Sequence, residues 1–433
     1  MDTRVVDLIV KKRDGLELTG GEIASLIGGY TAGEVPESQM SAWAMAVFFR
    51  GLSMAETSAL TRAMLASGET LRWEEGPPLV DKHSTGGVGD KTSLVLAPLA
   101  ASLGLRVPML AGRALGITGG TLDKCDAMPG YRTQLATDEF VRIVRDVGFA
   151  IAGQSAALCP ADRLLYALRD VTGTVESVPL VTASILSKKA AEGAQALVCD
   201  VKAFSGAFMR TLPEARALAA SLETVGQALG LRIRCVVSDM DEPLGNAVGN
   251  FLEVEECLDC LEGKGPADLV TLNEELGARM AMLGGLSKTL NEGIALCREA
   301  LAGGRPRELF LKNVEAQGGD VKKLLALRGR FRAPFEARVC TPRGGYVMRV
   351  DAGLVGRAAH LLGAGRAVQS DTVSAAAGLR LHAKRGAPAR EGEPLATLWA
   401  ETRERLAAAL PVAAAAFAIG DAPPAAKPVI VST

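Results

Sequence analysis

The chain has 433 residues, 48% of them hydrophobic and 22% charged, with 48 Lys plus Arg set against 49 Asp plus Glu for a formal net charge of −1. That balance excludes a disordered or fibrous chain, and the lack of a basic excess argues against a duplex-binding protein. The length suggests about three domain-sized units and a core large enough to need no metal or disulfide staple.

In chain order, residues 1–15 mix charges around a short apolar stretch without the core or cleavage site of a signal peptide. The first seventy residues read as short helices. Thr19 to Glu22 and Ser53 to Glu56 both have capping-box spacing, and Met40, Trp43, Ala44, Val47 and Phe48 form one apolar stripe. Glu74 to Pro78 marks a linker. Beyond Leu79 short apolar runs (Leu94 to Leu96, Val107 to Leu110) alternate with glycine loops and helical stretches, the pattern of α/β units. Residues 156–191 turn helical again, after which Ala196 to Val201 and Ile233 to Val237 resume the strand pattern. A helical stretch interrupting an α/β unit predicts a helical domain made of two separated segments. From Phe335 the tail shows strand-like runs at Arg338 to Cys340, Gly345 to Val350 and Ala396 to Ala400, and a helix near Arg403 to Leu410. The longest apolar stretch, Leu406 to Gly420, is too short to span a bilayer and contains Pro411. A soluble, cytoplasmic chain is expected. Of eight cysteines only Cys257 and Cys260 have CxxC spacing, and no second pair or nearby histidine completes a zinc site, so buried helical thiols are expected.

Chemistry concentrates in three places. Asp81 to Ser93 (DKHSTGGVGDKTS) follows a strand-like run and precedes a helix-like one. It lacks the Gly-Lys-Thr of the NTPase phosphate loop and the third glycine of the dinucleotide fingerprint. What remains is a glycine loop entering a helix, with Lys82, Ser84, Thr85, Thr92 and Ser93 around it. Backbone amides at a helix start, hydroxyls and an ammonium make a phosphate cradle. A plain strand-to-helix turn explains the glycines but not the cations and hydroxyls. Ala111 to Lys124 echoes the block, with Thr118 to Thr121 resembling Ser84 to Gly87, and two such loops at successive strand ends can converge on one anion. His83 is the one histidine of three inside a glycine loop; beside phosphate it is expected to be protonated and to donate to a developing anion. His360 and His382 are expected to be structural. The third cluster is Tyr166 and Arg169, one turn apart, with Ser184 and Lys188 at i, i+4 spacing. Spacing alone slightly favours a solvated cationic face there.

These clusters, in this order, resemble the pyrimidine and thymidine phosphorylases, the second structural class of nucleoside phosphorylases. The matching runs are KHSTGGVGD (82–90), TGGTLDK (118–124), AGQS (152–155), LCPADRLLYALRDVT (158–172), VTASILSKK (181–189), DVK with SGAFM (200–209) and DMDEPLGNAVGN (239–250). The resemblance implies an α/β protein in three parts. A small helical domain (1–70 and 156–191) forms homodimers and binds the base. A larger α/β domain with a central mixed sheet (79–153 and 194–334) binds phosphate, and an α/β subregion (335–433) completes the chain. It implies reversible phosphorolysis of pyrimidine nucleosides, with inorganic phosphate as co-substrate, no organic cofactor, and closure of the two domains over the reactants. Phosphate would be held by Lys82, Ser84, Thr85, Gly86, Gly87, Ser93 and Thr121, with the 84–87 loop giving amides. The nucleoside would meet His83, Tyr166, Arg169, Ser184 and Lys188, with His83, Arg169 and Lys188 catalytic. Some bacterial members bind potassium beside the phosphate loop, at positions matching Gly89, Lys91, Leu244, Ala247 and Glu256. Threonine is frequent at the position of Lys91, so here the Lys91 ammonium is a candidate to take the cation's place and pair with Glu256.

The chain departs from the family at Ala111 (usually serine), Ile117 (usually histidine), Cys125-Asp126 (usually Leu-Glu) and Phe204 (usually glycine). Two further readings fit less well: a nucleoside-binding homologue with a degraded phosphate loop and no catalysis, and an enzyme of the anthranilate phosphoribosyltransferase type.

Overall fold

Capping boxes and apolar stripes start the chain as helices, as expected. A computed structural model describes residues 4–113, 119–366 and 371–432, and opens with α1 (Val5–Arg13), α2 (Gly20–Thr31), α3 (Glu37–Arg50) and α4 (Met54–Ala66). Both capping boxes form, at Thr19/Glu22 and Ser53/Glu56. Glu56 also accepts from the buried Lys12 Nζ at 2.7 Å and from Leu18 N at 2.8 Å, pinning α1 to α4. Met40, Trp43, Ala44 and Val47 are buried, but Phe48 is 39% exposed. Phe48 lies about 80° around the helix from Met40, at the rim of the stripe.

The α/β part runs β1 (Val80–Ser84), α5 (Thr92–Ser102), β2 (Val107–Ala111), α6 (Thr121–Asp126), α7 (Thr137–Val147) and β3 (Phe149–Gly153). After α8 (Pro160–Thr172) and α9 (Val178–Ala191) come β4 (Ala196–Ala203), α10 (Leu212–Ala228) and β5 (Arg232–Asp239). Strands β1, β4 and β5 are parallel neighbours, as are β2 and β3, and a parallel bridge between Leu79 and Arg106 joins the two sets. The segment Ile430–Ser432 adds antiparallel to β5, so the sheet is mixed. Leu94 to Leu96, counted above among the short apolar runs and also as the start of the helix-like run after Ser93, lies inside α5, which is buried on all sides from Leu94 to Ala100. A helix without a solvent face shows no period, and only its length separates it from a buried strand.

Helices α8 and α9 return to the opening bundle: Leu165, Leu168, Leu180 and Ala183 share a core with Ile23, Leu26, Trp43 and Leu60. One residue past Ser184, Ile185 and Leu186 of α9 belong instead to a core with β4, β5 and α10. Strand β6 (Ala247–Val248) and α11 (Asn250–Leu261) follow, then helices through 267–327. Tail strands Phe335–Cys340, Gly345–Val350 and Pro394–Ala400 and helix Arg403–Ala415 close the chain. Val339, Val347 and Leu398 of the tail share one core with Val95 and Phe251 of the sheet unit. Among the described residues no helix is long and apolar enough to cross a membrane. Cys257 and Cys260 are free and buried on α11, and no group of three His, Cys, Asp or Glu among the described residues could hold a metal.

Candidate active site

Parallel strands deliver their carboxyl ends, and the helix starts that follow them, to one edge of the sheet. At that edge β1 ends in Lys82, His83 and Ser84. The buried Lys82 Nζ lies 2.5 Å from Thr92 Oγ1 and 3.5 Å from Ser93 Oγ in the first turn of α5. Burial lowers the Lys82 ammonium, with Asp90 and Asp200 pulling the other way. Ser84 Oγ donates to Asp90 Oδ2 at 2.5 Å and accepts from Gly86 N at 3.1 Å. Asp90 also accepts from Thr92 Oγ1 at 2.7 Å. Burial alone would raise this carboxyl, but Lys82, Lys202 and the two hydroxyls hold it well below the usual carboxylate range. Thr85 N donates to Asp200 O at 3.0 Å, and Thr85 Oγ1 accepts from Lys202 N at 2.8 Å. The amides of Thr85 and Gly86 are therefore committed inside the protein, contrary to the expectation that the whole 84–87 loop offers its N–H groups. The second loop meets the first through α6: Thr121 is its first residue, Leu122 N closes the loop onto Gly112 O at 3.2 Å, and Lys124 Nζ reaches Asp90 O of the first loop. Ile117 and Thr118 lie outside the described residues.

The third cluster assembles on α8 and α9. Lys188 Nζ donates to Ser184 Oγ at 2.8 Å and to Asp162 Oδ2 at 2.6 Å, and lies 5.9 Å from the centre of the Tyr166 ring. Burial pushes the Tyr166 phenol up to about 12. Arg169 is buried, its guanidinium donating to the carbonyls of Thr174, Leu180 and Val175 at 3.2, 3.2 and 2.5 Å. Burial lowers it to about 10, against Asp162, Tyr166 and Glu176, so it stays charged at neutral pH. These residues are not the solvated face that spacing suggested: Ser184, Arg169 and Asp162 are 5% exposed or less.

His83 joins the two clusters electrostatically. Burial, then the charges of Lys189, Lys188 and Lys82, press its imidazole well below 6.5, Asp90 opposing. Without phosphate these charges disfavour the imidazolium expected beside the anion, and the side chain itself is half-buried at the end of β1. His382 takes a structural place against Thr397 Oγ1 at 2.8 Å.

The five positions that resemble a potassium site also converge, around an ammonium. Lys91 Nζ, fully buried, donates to Leu244 O at 2.8 Å, Ala247 O at 2.9 Å and Glu256 Oε2 at 2.5 Å. Gly89, at φ +71°, allows the approach: a Cβ there would stand 2.6 Å from Leu244 O. Potassium does not fit these residues, since Lys91 has no lone pair to ligate it and its ammonium already sits among the oxygens.

Sequence reasoning missed several buried charges. In sequence Asp162 marks only a helix start, yet it pairs with Lys188. Lys189, the neighbour of a singled-out lysine, is paired with Asp81 of β1 and, at 3.1 Å, with Glu192, and it donates to Leu110 O at 3.1 Å. Lys202 pairs with Asp200 at 2.6 Å beside the first loop. Lys124 Nζ donates to Asp90 O at 2.9 Å and Gly119 O at 3.2 Å and lies 3.3 Å from Glu253 of α11. The doublet Lys188-Lys189 and the motif letters Asp90, Lys124 and Lys202 were the available signals.

Comparison with known proteins agrees along most of the chain. A model of the glycosyl transferase family, helical bundle domain, matches residues 6–68, and its a/b domain matches 76–306. A pyrimidine nucleoside phosphorylase C-terminal domain matches 346–420. The chain is 45% identical over 402 residues to a pyrimidine-nucleoside phosphorylase of Geobacillus stearothermophilus, covering 93% of each. It is 47% identical over 399 residues to the one from Bacillus subtilis (strain 168), covering 92% of each. Among solved structures it is similar to anthranilate phosphoribosyltransferase from Thermus thermophilus, with a TM-score of 0.58 and 22% identity over 71% of this chain and 98% of that one. That last likeness is one of fold alone.

Proposed function

This chain belongs to the pyrimidine-nucleoside phosphorylase family, and we propose that it catalyses the reversible phosphorolysis of pyrimidine nucleosides, with inorganic phosphate as co-substrate. The observation that carries this reading is the pairing of an ammonium-and-hydroxyl cradle at the end of β1 with the Lys188–Ser184–Asp162 cluster, close enough for Lys188 to perturb His83. Lys82, Ser93 and Thr121 hold phosphate, joined by Ser84 once its hydroxyl proton turns from Asp90 to the anion, and Thr85, Gly86 and Gly87 shape the turn around it. A phosphate oxygen forms a bond to C1′ of the pentose as the C1′–N1 bond breaks. The electron pair passes to the base, whose N1 later takes a proton. Phosphate is already a nucleophile, so no general base is needed. The barrier is lowered where charge develops, on the departing pyrimidine, by donors from Lys188, Arg169 and Ser184 and by a ring N–H of His83, with Tyr166 beside them. Ala111 leaves out one hydroxyl toward phosphate, which weakens its binding by about 1–3 kcal/mol.

The same reading makes the chain a homodimer through its helical bundle, where Met45, Phe48, Phe49 and Met54 lie 36–76% exposed. Its free thiols suit the cytoplasm. An anthranilate phosphoribosyltransferase type is not favoured, since its likeness stops at the fold.

The test is release of free base from thymidine, deoxyuridine and uridine, each with and without phosphate, beside a His83→Ala control. Phosphate-dependent release ranks the substrates. Nucleoside binding without release at any phosphate concentration would instead make the chain a binder.

A further inference from the structure

We propose that Lys91 is a tethered cation: its ammonium permanently fills a buried oxygen cage that would otherwise require an exchangeable monovalent cation, and so makes both the fold and the phosphate loop of this chain independent of potassium. The stoichiometry carries the argument. An ammonium has three protons, and Lys91 Nζ has three acceptors, at Leu244 O, Ala247 O and Glu256 Oε2, with no solvent access. Glu256 completes its own shell with Asn246 N at 3.0 Å and Ala247 N at 3.1 Å. The space is filled: a Cβ on Gly245 would come within 2.3 Å of Glu256 Oε2 and 2.8 Å of Lys91 Nζ. Remove the ammonium and two carbonyls and a carboxylate remain, a buried cage of net negative charge that has to recruit a cation or take up a proton. The place of this charge matters because Lys91 caps α5, directly before Thr92 and Ser93 of the cradle. One turn back on α11, Glu253 holds Lys124, which grips carbonyls of both glycine loops. Helix α11 therefore anchors both loops through two lysines.

The experiment compares the full chain in potassium, sodium and tetramethylammonium chloride at equal ionic strength, reading the thermal unfolding midpoint and the phosphorolysis rate. Wild type is expected to give one midpoint and one rate, within about twofold, in all three salts. Lys91→Thr, which opens the cage and adds a hydroxyl, is expected to lose both in tetramethylammonium and to regain both in potassium. Potassium at about ten times its dissociation constant should raise the folded-to-unfolded ratio roughly elevenfold. Lys91→Met fills the space without charge and should be impaired equally in every salt. A wild type whose midpoint or rate rises with potassium overturns the proposal. So does a Lys91→Thr protein that responds to no salt or folds in none. Only the rate arm rests on the phosphorolysis reading; the midpoints test cation replacement even if no nucleoside is cleaved, so the two failures are distinguishable.

Discussion

Lys188→Met isolates the stabilisation of the leaving base. In the structure Lys188 Nζ spends one proton on Asp162 at 2.6 Å and one on Ser184 at 2.8 Å, which leaves a third for ligand. A hydrogen bond to a charged group contributes about 1.5–3 kcal/mol, and if it strengthens only as the pyrimidine becomes anionic its loss lowers kcat/KM roughly 10- to 150-fold. The substitution has a second effect, because it strands the Asp162 carboxylate, whose Oδ1 is already buried without a hydrogen bond. Breaking a fully buried pair costs about 3–5 kcal/mol; Lys188 is 17% exposed, so the lower end applies. Adding Asp162→Asn removes the stranded charge, so the double variant should recover the unfolding midpoint but not the rate. The assay is steady-state phosphorolysis of deoxyuridine beside its 5-fluoro analogue, whose more acidic base needs less help to depart. The Lys188→Met defect should be smaller for the fluorinated substrate. Equal defects for both, or rate restored along with stability in the double variant, would refute the role of Lys188 as a donor to the leaving base.

His83 should not titrate near 6.5 in the free protein, so its proton chemical shifts should stay flat between about pH 6 and 8, and a midpoint near 6.5 would contradict the influence of desolvation and the lysine charges on it. The unfolded chain takes up that proton below 6.5 while the folded one does not, so this histidine's contribution is intact above 6.5 and erodes as pH falls. His83→Gln should flatten that acid-side loss in urea titrations. Glu262, held down at about 2 by bonds from Arg328 and then Arg307, contributes stability above its ordinary 4.5 that is lost as pH falls toward 2. Glu262→Gln should cost about 2 kcal/mol near neutral pH, after allowance for its partly exposed arginines, and nothing at the acid limit. Phe204 sits at φ +85° with Lys427 Nζ 5.7 Å from its ring centre. Phe204→Gly relieves backbone strain of about 1 kcal/mol that Phe204→Ala retains, so the glycine variant should be the more stable of the two in thermal melts.

How much was legible in advance follows from what each signal depends on. The capping boxes at Thr19 and Ser53 and the strands around Val198 and Val236 are local patterns, and they formed where read. The alternation of helical and α/β texture located the return of α8 and α9 to the opening bundle, because each stretch keeps its own period. Leu94 to Leu96 read both as a short apolar run and as the start of a helix-like one, because burial on all sides erases periodicity; the helix formed. In the site, single residues were legible but their partners were not. Asp162 and Lys188 are 26 positions apart, Lys91 and Glu256 are 165, and only the resemblance to a family, not spacing, linked the latter pair. The downward shift of His83 depends on desolvation and then on three lysines from two elements, a sum that no linear reading supplies. Thr85 and Gly86 look like free amides in sequence and turn out to be spent on Asp200 and Ser84.

Helix α9 carries one consequence beyond the site. One face, with Leu180 and Ala183, is buried among the bundle helices and another, from Val178 and Val181 to Ile185 and Leu186, against β4, β5 and α10, with Lys189 locked to Asp81 and to the carbonyl of Leu110. Neither core can open without stripping one face of a single rod from its packing, so the two should melt in one cooperative transition rather than as separate bodies. Ser184 and Lys188 sit at the crossover between them. A pyrimidine seated there grips the joint itself, and its binding should protect the amides of β4 from exchange as firmly as those of α2.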